Sequence, residues 1–181
     1  ILDFSKIENG KLEIDKTDFD SRKEFKFISH LFDAKCSEKN INLSMFIEDN
    51  IPKVLNTDLL RIKQVISNLL SNAIKFTQDG GKISFEVNVQ HLSDKNVEVE
   101  IGIQDSGIGI EKHKLEDVFK AFIQADSSTT REYGGTGLGL SISSYLVSKF
   151  GSQLKVKSEV GKGSRFYFVL NLPYVQCIRK E

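Results

Sequence analysis

Residues 58–77 read DLLRIKQVISNLLSNAIKFT. Ile62, Val65, Ile66, Leu69, Leu70, Ala73 and Ile74 recur at steps of three and four, the apolar stripe of a helix that faces a core. A second line, Arg61, Gln64, Asn68, Asn72 and Lys75, follows the same spacing on a neighbouring face. Asn68 and Asn72 stand one turn apart and Lys75 follows a turn later, so neutral amides and a cation converge. An amide oxygen is a hard, uncharged ligand able to take one vertex of the Mg²⁺ octahedron, and a lysine meets phosphate oxygens as a point charge. The line suits a metal-bound polyphosphate, although a merely solvated polar face has the same spacing.

Outward from this helix, 181 residues with 39% hydrophobic content suffice for one domain with a core. The 25 basic and 25 acidic residues cancel, so the composition advertises no nucleic-acid or membrane surface, and no nucleic-acid partner is expected. Cys36 and Cys177 lie far apart without metal-ligand spacing, which argues against a disulfide scaffold or a zinc site. No apolar run approaches a membrane span and no signal-peptide pattern opens the chain, which reads as a soluble fragment.

Ile1, Leu2, Phe4 and Ile7 form a partial stripe closed by Asn9-Gly10, the last turns of a helix cut from something longer. Leu12, Ile14 and Phe19 suggest a short strand, and residues 20–39 an amphipathic helix burying Phe25, Ile28, Leu31, Phe32 and Phe27. His30 within it is assigned no chemistry. Residues 42–48 alternate as a strand, and Ile51-Pro52 breaks the chain before the central helix. After the Gly80-Gly81 turn, Ile83, Phe85, Val87 and Val89 alternate with polar residues, as do Val97, Val99, Ile101 and Ile103, and the two runs read as a hairpin. Leu154 with Val156, and Phe166, Phe168 and Leu170, give two further strands around Gly161-Lys162-Gly163. Strands paired largely as hairpins make the class α+β, a two-layer α/β sandwich rather than a doubly wound sheet.

Three glycine-rich segments punctuate this order. Asp105-Ser106-Gly107-Ile108-Gly109-Ile110 ends a strand, and its glycines let the backbone approach a ligand. An isolated carboxylate at a strand end is costly unless it accepts a hydrogen bond, and an adenine amino group is a suitable donor; a tight turn with a capping aspartate reads the same way. Gly134-Gly135-Thr136-Gly137-Leu138-Gly139-Leu140 leads into a helix, where free amides and the positive helix end form a phosphate cradle. It lacks the GK[ST] ending of a Walker loop, and it resembles the dinucleotide fingerprint only loosely, since no strand directly precedes it. Residues 124–133, QADSSTTREY, read as a glycine-hinged lid with Arg131 as its cation for a terminal phosphate, or else as a plain surface loop. Gly161-Lys162-Gly163-Ser164 alone is a hairpin turn.

The ordered set, Asn68-x-x-x-Asn72-x-x-Lys75-Phe76, DSGIGI, Phe119-x-x-Phe122, GGTGLGL and GKGS, resembles the N, first glycine, F, second glycine and third glycine boxes of the sensor histidine kinase ATP-binding domain. The match spans about residues 12–173, and TREYGGTGLGL is similar to the hybrid kinases, which often carry a receiver domain downstream. The resemblance implies the Bergerat fold, a mixed sheet covered on one face by helices, and the cofactors ATP and Mg²⁺. It implies that Asn72 ligates Mg²⁺, that Asn68 sits at the metal and phosphates, and that Lys75 contacts phosphate. Phe76 would lie against the base, Asp105 would accept from the adenine amino group, and Gly107, Gly109 and Ile110 would shape that pocket. Gly135, Thr136, Gly137, Leu138 and Gly139 would line the phosphates, and Phe119 and Phe122 would pack where the lid leaves the domain, Phe122 beside the nucleotide. Catalytic roles fall on Asn68, Lys75 and Arg131.

By the same resemblance, residues 1–10 end a dimerisation and phosphotransfer helix, 11–174 form the catalytic domain, and 175–181 are a tail or linker. The partners implied are those helices and a receiver domain, in a parent that is a homodimer and can be anchored in the inner membrane, with this domain cytoplasmic and the fragment monomeric. Gyrase, Hsp90 and MutL-like ATPases share the fold but use a glutamate one turn before the metal-binding asparagine to activate water. Asn68 stands there and cannot act as a base, which favours phosphotransfer over hydrolysis. An anti-sigma type serine kinase and a degenerate binding module are the alternatives. Neither His30, His91 nor His113 precedes an acidic residue as the family's acceptor does. The chain is therefore expected to bind ATP and Mg²⁺ without labelling itself, with a lid disordered in the absence of nucleotide.

Overall fold

The computed structural model describes residues 12–120 and 139–176. Its elements run β1 (Thr17–Asp20), α1 (Ser21–His30), α2 (Asp33–Glu38), β2 (Asn42–Ile47), β3 (Val54–Thr57), α3 (Leu59–Phe76), β4 (Lys82–Leu92), β5 (Asn96–Asp105), α4 (Gly139–Lys149), β6 (Lys155–Glu159) and β7 (Gly163–Val175). The partial helix at residues 1–7 and the lid at 124–133 lie outside the described residues.

Helix α3 is the element that residues 58–77 dictate. Its buried residues are Ile62, Val65, Ile66, Leu69, Leu70, Ala73 and Ile74, the whole predicted stripe. The buried carboxylate of Asp58 caps it, accepting from the Arg61 amide at 3.1 Å, while its other oxygen holds the Asp15 amide at 3.0 Å.

The stripe packs on a seven-stranded mixed sheet of order β1-β3-β7-β5-β4-β2, with β6 pairing to β7. The predicted hairpins β4–β5 and β6–β7 are antiparallel. The parallel pair β2–β4 makes the sheet mixed. Helices cover one face, as the α+β sandwich requires, with Phe85, Val87, Val99, Ile101, Phe168 and Leu170 buried in the core beneath α3. On the opposite face Arg165 bridges Glu100 at 2.6 Å and Glu86 at 3.5 Å and lies 4.8 Å over the Tyr167 ring. It crosses Gly102, where a Cβ would press on the guanidinium.

Three expectations need correction. The helix over residues 20–39 is two helices, broken at Leu31–Phe32. Phe25, Ile28 and Phe32 are buried, but Phe27 is 51% exposed and Leu31 55%. Phe32 and Cys36 stay on the side that buries Phe25 and Ile28, as the helical repeat places them, whereas Phe27 points the other way and lies under the Lys63 ammonium at 5.1 Å instead of in the core. The first strand begins only at Thr17, although Leu12 is buried ahead of it. β3 falls where the sequence suggests only a break; it forms because β1 and the end of β7 pair with it on either side. Cys36 is enclosed, and burial, then the charge of Asp33, push its thiol above the usual range, so it behaves as a core residue. Among the described residues no helix is long and apolar enough to cross a membrane.

The C-terminus of α3 is secured from outside the helix. Lys39, just after α2, donates through Nζ to the carbonyls of Ile74 at 2.8 Å and Thr77 at 2.6 Å, a cation on the negative end of the dipole. Lys39→Met keeps the stem and loses both bonds, and is expected to cost about 1–2 kcal/mol. Urea unfolding checks this; an unchanged midpoint would mean that the ammonium contributes nothing.

Candidate functional site

The polar line of α3 behaves as its residue types require. Asn68 and Asn72 are half-buried on the same face. Asn68 donates through Nδ2 to the Gly139 carbonyl at 3.4 Å and to Ser143 Oγ at 3.2 Å, both on α4. The Asn72 side chain makes no hydrogen bond among the described residues. Lys75 Nζ stands 5.1 Å over the Phe76 ring. Among the described residues no three His, Cys, Asp or Glu side chains form a metal cage, so a cation here would rest on amide oxygens and on the anion it accompanies.

The first glycine segment docks on the end of this helix. Ile108 N donates to the Phe76 carbonyl at 3.2 Å. A Cβ at Gly107 would overlap that same carbonyl, which is why glycine stands there. At Gly109 the backbone has φ +72° and a Cβ would strike the Glu159 carbonyl at the end of β6. Gly161 N donates to the Ile108 carbonyl at 2.9 Å, and Ile110 N to Ser158 Oγ at 2.8 Å. The first and third glycine segments are thus laced together, although each reads locally as an independent turn.

Asp105 sits at the end of β5 between them, 6% exposed. Its Oδ1 accepts from Gly107 N at 2.8 Å and Ser164 N at 3.2 Å. Burial pushes its pKa above the ordinary aspartate value, and the two amides draw it part of the way back. Oδ2 has no hydrogen-bond partner among the described residues. Since no fully enclosed side-chain nitrogen or oxygen there lacks a partner, Oδ2 opens outward. A largely desolvated carboxylate oxygen that still reaches the surface can accept one good donor.

Of the remaining predicted residues, Ile110 packs against the core, and Phe119 stacks edge-on to Phe166 at 6.2 Å. Gly139 opens α4, and a Cβ there would meet nothing within 4 Å among the described residues. Phe122, Arg131, Gly135, Thr136, Gly137 and Leu138 lie outside the described residues. Sequence reasoning misses Ser158, Gly163 and Ser164 as site residues. Their signal is the GKGS turn itself, whose role needs a partner 59 positions earlier in the chain.

The family of histidine kinase-, DNA gyrase B-, and HSP90-like ATPases matches residues 57–174. This chain belongs to that family. Its matched span runs from the end of β3 to the end of β7 and holds α3 together with all the glycine segments. Hybrid signal transduction histidine kinase B of Dictyostelium discoideum is 44% identical over 170 residues, 94% of this chain and 9% of that protein. The chain spans between 9% and 21% of the length of the curated relatives it matches first. Full-length ShkA, solved in complex with AMPPNP, superposes with a TM-score of 0.81 at 24% identity, covering 97% of this chain and 35% of that one. Histidine kinase ThkA, solved in complex with the response regulator protein TrrA, gives a TM-score of 0.67 at 25% identity over 96% of this chain and 47% of that one.

Proposed function

We propose that this chain is the ATP-binding catalytic domain of a hybrid sensor histidine kinase. It would pass the ATP γ-phosphoryl group to a histidine outside residues 1–181, for relay to a receiver aspartate. The observation that carries the proposal is the Asp105 carboxylate, committed to two amides through Oδ1 and open at Oδ2. It supplies the single acceptor that an adenine amino group needs, at the foot of a pocket shaped by Gly107, Gly109 and Ile110 with Phe76 along the base.

About one and two turns of α3 separate Phe76 at that pocket from the half-buried amides of Asn72 and Asn68. Asn72, with no described partner, suits a Mg²⁺ ion accompanying the phosphates, and Asn68 would stand beside it. Bound Mg²⁺ would neutralise phosphate charge during transfer. Lys75 would add a point charge on the phosphates, and Arg131 would bring one from the lid. Phosphate would sit at the start of α4, where a helix N-terminus presents unsatisfied amides and no described atom crowds Gly139; Gly135, Thr136, Gly137 and Leu138 would complete that border. Asn68 cannot activate water, so the proposed chemistry is transfer rather than hydrolysis.

The relatives named as histidine kinases support this assignment, and the ThkA–TrrA complex supports a receiver as partner. Residues 11–174 would be the catalytic domain, 1–10 the end of a phosphotransfer helix in a homodimeric parent, and 175–181 a tail or linker. The domain would act in the cytoplasm, whether or not the parent is anchored in a membrane.

Calorimetric titration with a non-hydrolysable ATP analogue, with and without Mg²⁺, tests the nucleotide site. The wild-type chain should bind, and Mg²⁺ should tighten binding. In Asn72→Ala that tightening should fall about tenfold, while metal-free affinity stays within about twofold. A folded wild-type chain that binds no nucleotide would overturn the proposal in favour of a scaffold module.

A further inference from the structure

We infer that Ser143 is a positioning residue for the phosphate and metal site, holding the amide of Asn68 so that its oxygen, not its nitrogen, faces that site. The inference rests on the nucleotide-binding function proposed above.

Ser143 is 0% exposed in the middle of α4, among Leu146 and Val147 of that helix's buried face. Serine is a poor choice there. It contributes little apolar area, competes with the helix backbone, and brings a hydroxyl that must be bonded or cost free energy. Its hydroxyl bond goes to the Asn68 amide, across the α3–α4 interface. The same amide nitrogen lies 3.4 Å from the Gly139 carbonyl. A carbonyl only accepts, so this second contact requires the Asn68 nitrogen, and not its oxygen, to face α4. Both amide hydrogens then point to α4, and Oδ1 is left without a hydrogen-bond partner among the described residues.

That orientation separates a metal ligand from a repelling donor. Rotating the amide by half a turn would set an NH₂ group toward a cation and an oxygen against the Gly139 carbonyl. Ser143 could bond either end of the amide, so the acceptor-only Gly139 carbonyl decides which end faces α4, and the Ser143 bond holds the amide in that orientation before any ligand arrives. The contact also couples α4, the helix that begins at the second glycine segment, to the polar line of α3.

Two measurements on the 181-residue chain test this. In the nucleotide-free protein, proton NMR should show nuclear Overhauser effects from the Asn68 side-chain NH₂ to the Ser143 β protons, and both NH₂ resonances should exchange more slowly than those of exposed asparagines. Their absence would overturn the inference whether or not nucleotide binds. In Ser143→Ala, AMPPNP affinity in EDTA should stay within about twofold of wild type, while the Mg²⁺-dependent tightening falls about tenfold. Loss of metal-free and metal-dependent affinity in equal measure would mean that Ser143 only packs, and no loss in either would mean that it orients nothing. Ser143→Cys, of nearly the same shape with a weaker hydrogen-bonding group, should fall between the two if the alanine variant folds poorly. A wild-type chain with the Overhauser effects but no nucleotide binding would defeat the proposed function alone.

Discussion

Asp105→Asn is expected to weaken adenine-nucleotide binding by at least about 100-fold while leaving the domain folded. The amide oxygen of the new side chain can still accept from Gly107 N and Ser164 N, so the turn keeps both bonds. That requirement forces the new NH₂ group into the position of Oδ2. A donor then faces the donor of the adenine 6-amino group. The loss comprises a charge-assisted bond, about 1.5–3 kcal/mol, and the cost of an unpaired donor, about 1–3 kcal/mol more, against about 1.4 kcal/mol per tenfold in affinity. The same NH₂ group would suit a carbonyl at that position of the base. An inosine triphosphate analogue should therefore lose far less than the adenosine one, and the preference between them should collapse. Calorimetry with both analogues checks this; equal losses would mean that the base is not read by Asp105.

The substitution also predicts a pH dependence with a definite sign. Burial, partly offset by the two amides, raises the folded-state pKa of Asp105 above its ordinary value. The folded state thus holds this proton more tightly than the unfolded chain. The contribution favours folding below the ordinary aspartate pKa and is lost as pH rises through the folded-state value. In nucleotide-free thermal scans, the melting temperature of Asp105→Asn relative to wild type should rise across that window and then level off. A difference that falls with pH would reverse the assignment.

How much of this is legible in the chain depends on how local each determinant is. The stripe of α3 is readable because one helix face meets one core, and spacing alone says which residues go inside. The hairpins are readable for the same reason, at a period of two. Phe27 and Leu31 mislead because they are apolar yet fall off the face that Phe25, Ile28, Phe32 and Cys36 share, and no glycine or proline announces the break after His30. β3 has four residues and exists through its neighbours β1 and β7, so no window of sequence contains its cause. Asp105, Asn68 and Asn72 stand out individually. Which oxygen of Asp105 is spent, and which way the Asn68 amide points, depend on Ser164, Gly139 and Ser143, residues brought near only by the fold.

Gly163→Ala is expected to be the most damaging single-methyl change in the described structure, at about 3–5 kcal/mol, and the neighbouring turn supplies its control. Gly163 has φ +111°, and a Cβ there would overlap the carbonyl oxygen of Asp105. That oxygen belongs to backbone at the end of a central strand and cannot swing aside as a side chain would. Relief requires the β6–β7 turn to lift away. Lifting it weakens the Ser164 amide bond to Asp105 and the bond from Ser158 Oγ to the Gly163 carbonyl at 3.0 Å. Strain of about 1–3 kcal/mol and two weakened bonds near about 1 kcal/mol each account for that loss, a large share of the roughly 5–15 kcal/mol that holds a domain together. Gly161, two residues earlier, has φ +80° but open space around its Cβ position, and its amide bond to Ile108 survives substitution. Gly161→Ala should therefore cost only the left-handed backbone conformation, about 1 kcal/mol. Urea unfolding of the two variants separates steric closure from conformational preference. Similar losses at both positions would mean that the third glycine segment is only a turn. A much larger loss at Gly163, with nucleotide affinity falling even where the variant remains folded, would mean that this segment is the wall against which the Asp105 carboxylate is held.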